Sequence, residues 1–472
     1  MRRLLALASR GDIKRLFWSL FSRFGSTVLS FAALFAASHA LETAEYGLYI
    51  FLFSVGTSLG VIFVFGQHVV LVKHFRLKDH ARGETNQALF VFNALWLAAG
   101  CGGQLVAALV LWWFADGLPS PYNALPIALL FGAVFTLSEY FQNYFRIHGQ
   151  IVLALVPREN LWRLLCALAL PLLAWGGYLS SGAAATEIVT GLLVVTVGYQ
   201  AARFVAQEGL AFLRPPARSG DIPWRRWNRE TLNFTANGFF NSASSYLETI
   251  LIGIAIGLEV AAFYFVAYRI AMLLTLPVLA IDTVSVPLIS AKFQENDRAG
   301  AQRLVAMLSA GSFALALVGG VFLFVAGPFI LHLFDPAFVE HFDVLVLLSL
   351  AAISHAFFGP GTWLIMIGGG ESYLLRMRSV VFVFYGVMLY VLGTRYGLDG
   401  VAVAGWIQLV TVHLLSRRWV MRNWQVDNMA TAFFRLRRAD RRAREAGGPA
   451  PAPVSAPVPA PVPAKGGGDG VA

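Results

Sequence analysis

The chain has 472 residues, of which 57% are hydrophobic and only 13% charged, with a mean hydropathy of +0.65. Soluble globular proteins carry about 25% charged residues, so a water-soluble enzyme or binding module is excluded. The formal charge of +10 does not point to nucleic acid, because Lys and Arg flank apolar blocks instead of forming one basic face.

In chain order, the opening stretch MRRLLALASRGDIKRLF is charged, with no long apolar run and no small-residue cleavage site. It reads as a retained cytoplasmic leader. Twelve apolar blocks follow, at about 16–40, 46–72, 86–115, 123–146, 159–178, 186–212, 231–257, 260–290, 303–326, 339–368, 371–394 and 398–420. Blocks of this length suit membrane-spanning helices, and no connector leaves room for a domain. The basic residues fall in alternate connectors: Arg2, Arg3, Arg10, Lys14 and Arg15; Lys73, Arg76, Lys78 and Arg82; Arg214, Arg218, Arg225, Arg226 and Arg229; Lys292, Arg298 and Arg303. The other side offers Glu42, Glu45, Asp116, Asp335, Glu340 and Asp399, with Arg395 as its one clear cation. Both termini are therefore expected in the cytoplasm.

The connectors after spans one and seven are similar, Leu41-Glu42-Thr-Ala-Glu-Tyr46 and Leu258-Glu259-Val-Ala-Ala-Phe263. They suggest a parallel repeat of six helices around a central cavity. The expected organisation is an all-α polytopic membrane protein: a six-helix lobe over 1–213, a cytoplasmic linker over 214–230, a second six-helix lobe over 231–422 and a tail over 423–472. The Trp-bearing part of the linker suits the headgroup level. In the tail, Phe433 to Arg442 reads as a basic surface helix or a plain cytoplasmic anchor, and the Pro/Ala-rich end reads as disordered.

No Walker loop, HExxH, CxxC or G-x-S-x-G is present. Cys101 and Cys166, the only cysteines, sit inside apolar runs. No cofactor or metal is expected. The ionisable residues inside apolar blocks then carry the functional signal. Glu248 and Arg269 lie about ten residues either side of the turn near Leu258, roughly 15 Å deep by helical rise. This depth allows a mutual ion pair, a cation facing a water-filled cavity, or both. Arg23 sits near the start of span one, either snorkelling or facing the cavity mouth. Glu139, Asn143 and Arg146 are spaced i, i+4, i+7 on one face of span four, which must meet protein or water. Asp282 in span eight is a candidate coupling-ion site, too far along the axis from Arg269 to pair with it. His39, His68 and His355 read as satisfied polar residues more readily than as proton relays. Gly56-x-x-x-Gly60 and Gly253-x-x-x-Gly257 suit close helix approach; Pro277, Pro287 and Pro360 are candidate kinks.

Ala40-Leu-Glu-Thr-Ala-Glu45-Tyr46-Gly47-Leu-Tyr49 resembles the connector after the first helix of polysaccharide flippases. Glu248-Thr-Ile-Leu-Ile-Gly253 followed by Gly257-x-x-x-Ala-Ala-Phe-Tyr264-x-x-Ala267-Tyr268-Arg269 resembles the family's pattern across spans seven and eight. Pro287-Leu-Ile-Ser290 and Tyr396-Gly397-Leu-x-Gly400-x-Ala402 match as well, so the resemblance covers about 12–422. Two departures stand out: Glu248 where the family has Asp, and Phe263 where it has Gly. Arg23, in Ser-Arg-x-Gly, resembles the first helix of lipid II flippases over four residues. The family is the Wzx-like polysaccharide branch of the multidrug/oligosaccharidyl-lipid/polysaccharide exporter superfamily.

The resemblance implies a two-lobed MATE-like fold of twelve to fourteen helices. It implies alternating-access transport of undecaprenyl-pyrophosphate-linked sugars across the bacterial inner membrane, with a polymerase and glycosyltransferases as possible partners. Arginine forks suit the phosphate oxygens of such a headgroup. Tyr140, Tyr144, Tyr246 and Tyr264 are stacking candidates for sugar rings, with core packing the plainer reading. Two alternatives are a drug/cation antiporter, whose cavity should be lined by carboxylates, and a membrane sugar polymerase or ligase, which needs a catalytic outer loop.

Overall fold

A chain this apolar must satisfy its backbone hydrogen bonds internally, and the described residues do so almost entirely as helix, with no strand among them. The structure is a computed structural model describing residues 10–75, 84–209, 223–240, 244–276, 278, 288–290, 292–293, 295 and 297–445. Asp282, Pro277, Pro287, the 214–222 part of the linker and the 446–472 part of the tail lie outside the described residues.

In order, the helices are α1 (Arg10–Ala40), α2 (Thr43–Phe63), α3 (Gln67–His74), α4 (Glu84–Trp113), α5 (Leu125–Ile147) and α6 (Ile151–Leu155). A π-helical segment, Val156–Trp162, leads directly into α7 (Arg163–Trp175). Then come α8 (Gly182–Glu208), α9 (Trp224–Gly238), α10 (Ser244–Ala255), α11 (Leu258–Met272), α12 (Arg298–Phe334), α13 (Phe342–Phe358), α14 (Gly361–Ile367), α15 (Glu371–Trp424) and α16 (Thr431–Glu445). Among the described residues, eight helical segments are fit by length and composition to cross a membrane, and two shorter ones, Gly25–Ala40 and Tyr246–Ala255, are also apolar. The span at Asn86–Trp113 buries only 22% of its apolar window and α12 only 28%. Their outward faces carry Leu109, Trp113, Val318 and Val325, all more than 60% exposed. Apolar surface on this scale requires lipid. The chain is a multi-pass membrane protein.

It forms two compact units, one of 1–271, 322–348 and 378–405, the other of 272–321, 349–377 and 406–472. In the first, α2 packs most extensively on α5. A Cβ on Gly56 would lie 2.6 Å from the Ala128 carbonyl oxygen, and one on Gly60 2.8 Å from Phe135, so this small-residue pair permits the approach. Gly253 plays the same role against Phe51 at 2.7 Å, whereas Gly257 has no neighbour closer than 3.9 Å. The two similar connectors meet: Gly47 abuts the Leu258 backbone. Glu45 accepts from the Gly182 amide at 2.6 Å, capping α8, and Thr43 donates to Asp335 at 2.7 Å.

α9 begins at Trp224, well before the expected start of span seven at 231, and is clamped to α3. Glu230 accepts from Lys73 at 2.9 Å and meets the His74 ring at 2.5 Å and Arg226 at 3.1 Å. Burial works against its charge, but hydrogen bonds from His74, Lys73 and Arg226 outweigh burial and hold the carboxyl down at about 2. Gln67 donates to Thr231 at 3.1 Å, and Trp227 is buried against Phe92 and Trp224. α15 contains both of the last two expected spans, divided where Gly397 adopts a non-helical φ of 61°. A side chain rarely takes that φ.

In the second unit, Pro360 follows Gly359 (φ 63°) and separates α13 from α14, as expected of a kink. His355 and His413 share a hydrogen bond of 2.9 Å. Asp427 gathers Arg417 at 3.2 Å, Arg435 and the Gln302 amide, which donates to its carbonyl at 2.8 Å. That hub docks the first turn of α16, the basic helix anticipated near Phe433.

Candidate functional site

Counting inward from Leu258 at 1.5 Å per residue places Arg269 about 16 Å along α11. Its Nη2 donates to the Tyr246 hydroxyl at 2.8 Å. The guanidinium also lies over the rings of Phe265 and Tyr246, 4.8 and 5.3 Å from the centroids. Among the described residues its Nε is buried with no hydrogen-bond partner, and no carboxylate pairs with it. A cation at this depth costs about 2.5–3.5 kcal/mol on insertion scales. Two ring contacts worth about 0.5–2 kcal/mol each, with the Tyr246 hydrogen bond, are of a size to offset that cost, yet a donor remains unused.

The expected ion pair between Glu248 and Arg269 is not formed. Tyr264 donates to Glu248 Oε2 at 2.8 Å, and Tyr385 adjoins the same carboxylate. Rotation about the helix axes decides the partner. Residues two apart on a helix point about 200° apart, so α10 turns Tyr246 toward Arg269 and Glu248 away from it.

Arg269 lines a cavity of about 570 Å³, open solvent included, together with Arg163, Tyr246, Phe265, Trp162 and Phe53. Arg163 comes from the segment in which α6, the π-helical residues and α7 run on continuously. Pro157 at the second π position has no N–H to give to a regular ladder, and π segments of this kind recur at functional sites. Here the segment brings three charges together. Arg158 donates through Nη1 to Glu139 at 2.6 Å and through Nη2 to Glu159 at 2.7 Å. Arg163 reaches the other Glu159 oxygen at 2.9 Å and donates to the Ser26 hydroxyl. Ser26 donates to Glu159 at 3.0 Å, and Gln142 does so at 3.2 Å. Two carboxylates and two guanidiniums thus balance within the network, while Arg269 leaves positive charge at the cavity wall.

The expected stripe on α5 is not part of this wall. Glu139 turns to Arg158; Asn143 donates to its own helix at Glu139 O (2.9 Å) and accepts from Arg146 at 3.2 Å, and Arg146 is exposed. Arg23 lies within α1, but its side chain is outside those described. Among the histidines, His39 bonds its own helix at Phe35 O, 3.1 Å, whereas His68 Nδ1 is buried without a partner. Arg158, just before the expected span 159–178, and Glu159 and Arg163, in its first turns, show no local sign of their distant partners, so sequence reasoning does not single them out. The signal that marks them is Pro157 followed by Glu159 and Arg163 at i, i+4.

Residues 13–293 match the family described as "Polysaccharide biosynthesis protein". The chain belongs to this polysaccharide biosynthesis family. The family shares its architecture here with known transporters. A multidrug-resistance MATE family transporter of the MOP superfamily, solved facing inward, is similar at TM-score 0.67 and 16% identity, covering 84% of this chain and 94% of that one. The outward-facing form of such a transporter gives 0.55 at 16% identity, covering 89% and 96%. A MOP superfamily transporter from Pyrococcus furiosus gives 0.54 at 14% identity, covering 88% and 95%. The fold is therefore MATE-like. No curated protein sequence matches the chain.

Proposed function

We propose that this member of the polysaccharide biosynthesis family is a flippase that moves undecaprenyl-pyrophosphate-linked oligosaccharide across the bacterial inner membrane by alternating access. A shared fold leaves the cargo open, so the charge of the cavity carries the argument. The observation that supports the reading best is Arg269, a membrane-depth cation with an unused donor and no carboxylate partner among the described residues, on an aromatic-lined wall. A pyrophosphate headgroup cannot cross a low-dielectric cavity without a fixed cation. A cationic drug would need free carboxylates, and Glu139 and Glu159 are engaged by Arg158 and Arg163. In this reading the cargo, the bilayer and the enzymes that build and polymerise the glycan are the partners, and the chain is not itself an enzyme. The test is removal of the protein from its host. Lipid-linked glycan is expected to accumulate on the cytoplasmic leaflet; unchanged export with no accumulation argues against the proposal.

The same reading sets the topology: twelve spans, two lobes over 1–213 and 231–422 joined by the 214–230 linker, and both termini in the cytoplasm. Reporters fused after Arg82, within 214–230 and after Arg422 are expected to report cytoplasm, and those near Asp116 and Asp335 the outside. A periplasmic signal from the linker contradicts the twelve-span arrangement.

A further inference from the structure

Arg163 shares the cavity with Arg269, yet it is held quite differently. All its described hydrogen bonds leave from Nη1, to the Ser26 hydroxyl and carbonyl and the Glu159 carbonyl, and the same nitrogen makes the ion pair with the Glu159 carboxylate. Its Nε and Nη2 have no partner among the described residues, and neither is a buried orphan of the kind Arg269 Nε is. The guanidinium fork is thus half engaged, on a residue that lines the cavity.

Its anchor can also spare it. Glu159 accepts from Arg158 Nε at 3.1 Å and Nη2 at 2.7 Å, and from Ser26 and Gln142. It stays compensated if Arg163 turns away. Arg158 has no such freedom: it is buried between two carboxylates, with its guanidinium 5.1 Å from the Phe135 ring centroid. The network therefore contains one fixed arginine and one releasable arginine, and the releasable one faces the cavity that Arg269 lines.

We propose that Arg163 is the second phosphate-binding cation of this cavity, held ready by Glu159 and taken over by the second phosphate of a lipid-linked diphosphate, so that Arg163 and Arg269 together select diphosphate over monophosphate headgroups. The proposal rests on the flippase reading above. Two oxygens of one phosphate match the planar fork bidentately, and the phosphate competes with Glu159 for the same guanidinium. Glu159 is then a positioning residue that sets how readily Arg163 is released.

The test uses the purified full-length protein with three probes: farnesyl diphosphate, farnesyl monophosphate and inorganic pyrophosphate. Wild type is expected to bind the diphosphate lipid about tenfold more tightly than the monophosphate, the factor expected of one further charge-assisted contact. Arg163→Gln should bring that ratio to within about threefold without weakening monophosphate binding, whereas Arg269→Gln should weaken both. Glu159→Gln also leaves Arg158 with Glu139 alone, so it is read only in protein shown to be folded by its melting; there it should tighten diphosphate binding relative to monophosphate, a gain that a merely structural role does not produce. Arg163→Lys, which keeps the charge and loses the fork, should fall between wild type and Arg163→Gln, and it guards against misfolding of the glutamine variant. An unchanged ratio in a folded Arg163→Gln protein, or weaker diphosphate binding relative to monophosphate in a folded Glu159→Gln protein, overturns the proposal and leaves the flippase reading standing. Pyrophosphate binding as tight as that of farnesyl diphosphate overturns the lipid-linked assignment. Wild type that binds neither lipid removes the reading on which the proposal rests.

Discussion

Arg269→Ala or Arg269→Glu is expected to abolish export of the lipid-linked glycan while the protein's abundance in the membrane stays near normal. The expectation combines two observations. No carboxylate among the described residues depends on Arg269, so its loss strands no buried anion there. The cost of its position is of the same size as the gain from the rings of Tyr246 and Phe265, so its loss changes the stability of the fold little. For the cargo the balance is the opposite. Truncating one side of a desolvated charge contact costs about 2–5 kcal/mol, which is roughly thirtyfold or more in binding. Arg269→Lys should retain partial activity, because a point charge replaces a fork. Adding Glu248→Gln to Arg269→Gln should restore nothing, because Glu248 belongs to Tyr264. Export measured in cells and melting measured in detergent check all four variants. Normal export by the alanine variant, or recovery in the double variant, contradicts this account.

Arg158 should behave in the reverse manner. It is buried between Glu139 and Glu159, and removing one partner of a buried ion pair costs about 3–5 kcal/mol by leaving uncompensated charge. Arg158→Gln is therefore expected to accumulate poorly and to melt well below wild type. Adding Glu139→Gln should recover most of the loss, because Glu159 still has Arg163. Thermal stability in detergent reads both results. A fully stable Arg158→Gln protein would show that the network is hydrated rather than closed.

How much of this was legible beforehand depends on which dimension of a helix the sequence reports. Axial position is well reported. The long apolar segments, the Pro360 kink and the close packing at Gly56 and Gly60 are all read from residue types and their spacing along the chain. Rotation between two helices is not reported. Glu248 and Arg269 match in depth yet face different neighbours, and only the packing of α10 on α11 decides that Tyr246 takes the guanidinium. The same limit misplaced the face of Glu139, Asn143 and Arg146. These residues do form one stripe, but it turns to Arg158 and to its own helix rather than to the cavity.

The π-helical segment fails for another reason. Isolated charges are costly in lipid, and nothing near Arg158 in sequence shows what meets that cost for the run Arg158-Glu159-Asn160 at the start of the expected span 159–178. Here Glu139, 19 residues upstream, and Ser26, more than 130 residues upstream, meet that cost. No local pattern reveals partners at such separations.

Export from vesicles tests the central claim most directly. The purified protein is reconstituted into liposomes carrying a fluorescent undecaprenyl-diphosphate-linked oligosaccharide, and the fraction accessible to an external sugar-cleaving enzyme is followed over time. The account predicts that wild type makes the inner-leaflet pool accessible, that Arg269→Ala does not, and that cationic dyes neither compete nor move. Transport of a cationic dye by wild type, with the lipid-linked sugar left in its leaflet, would contradict it.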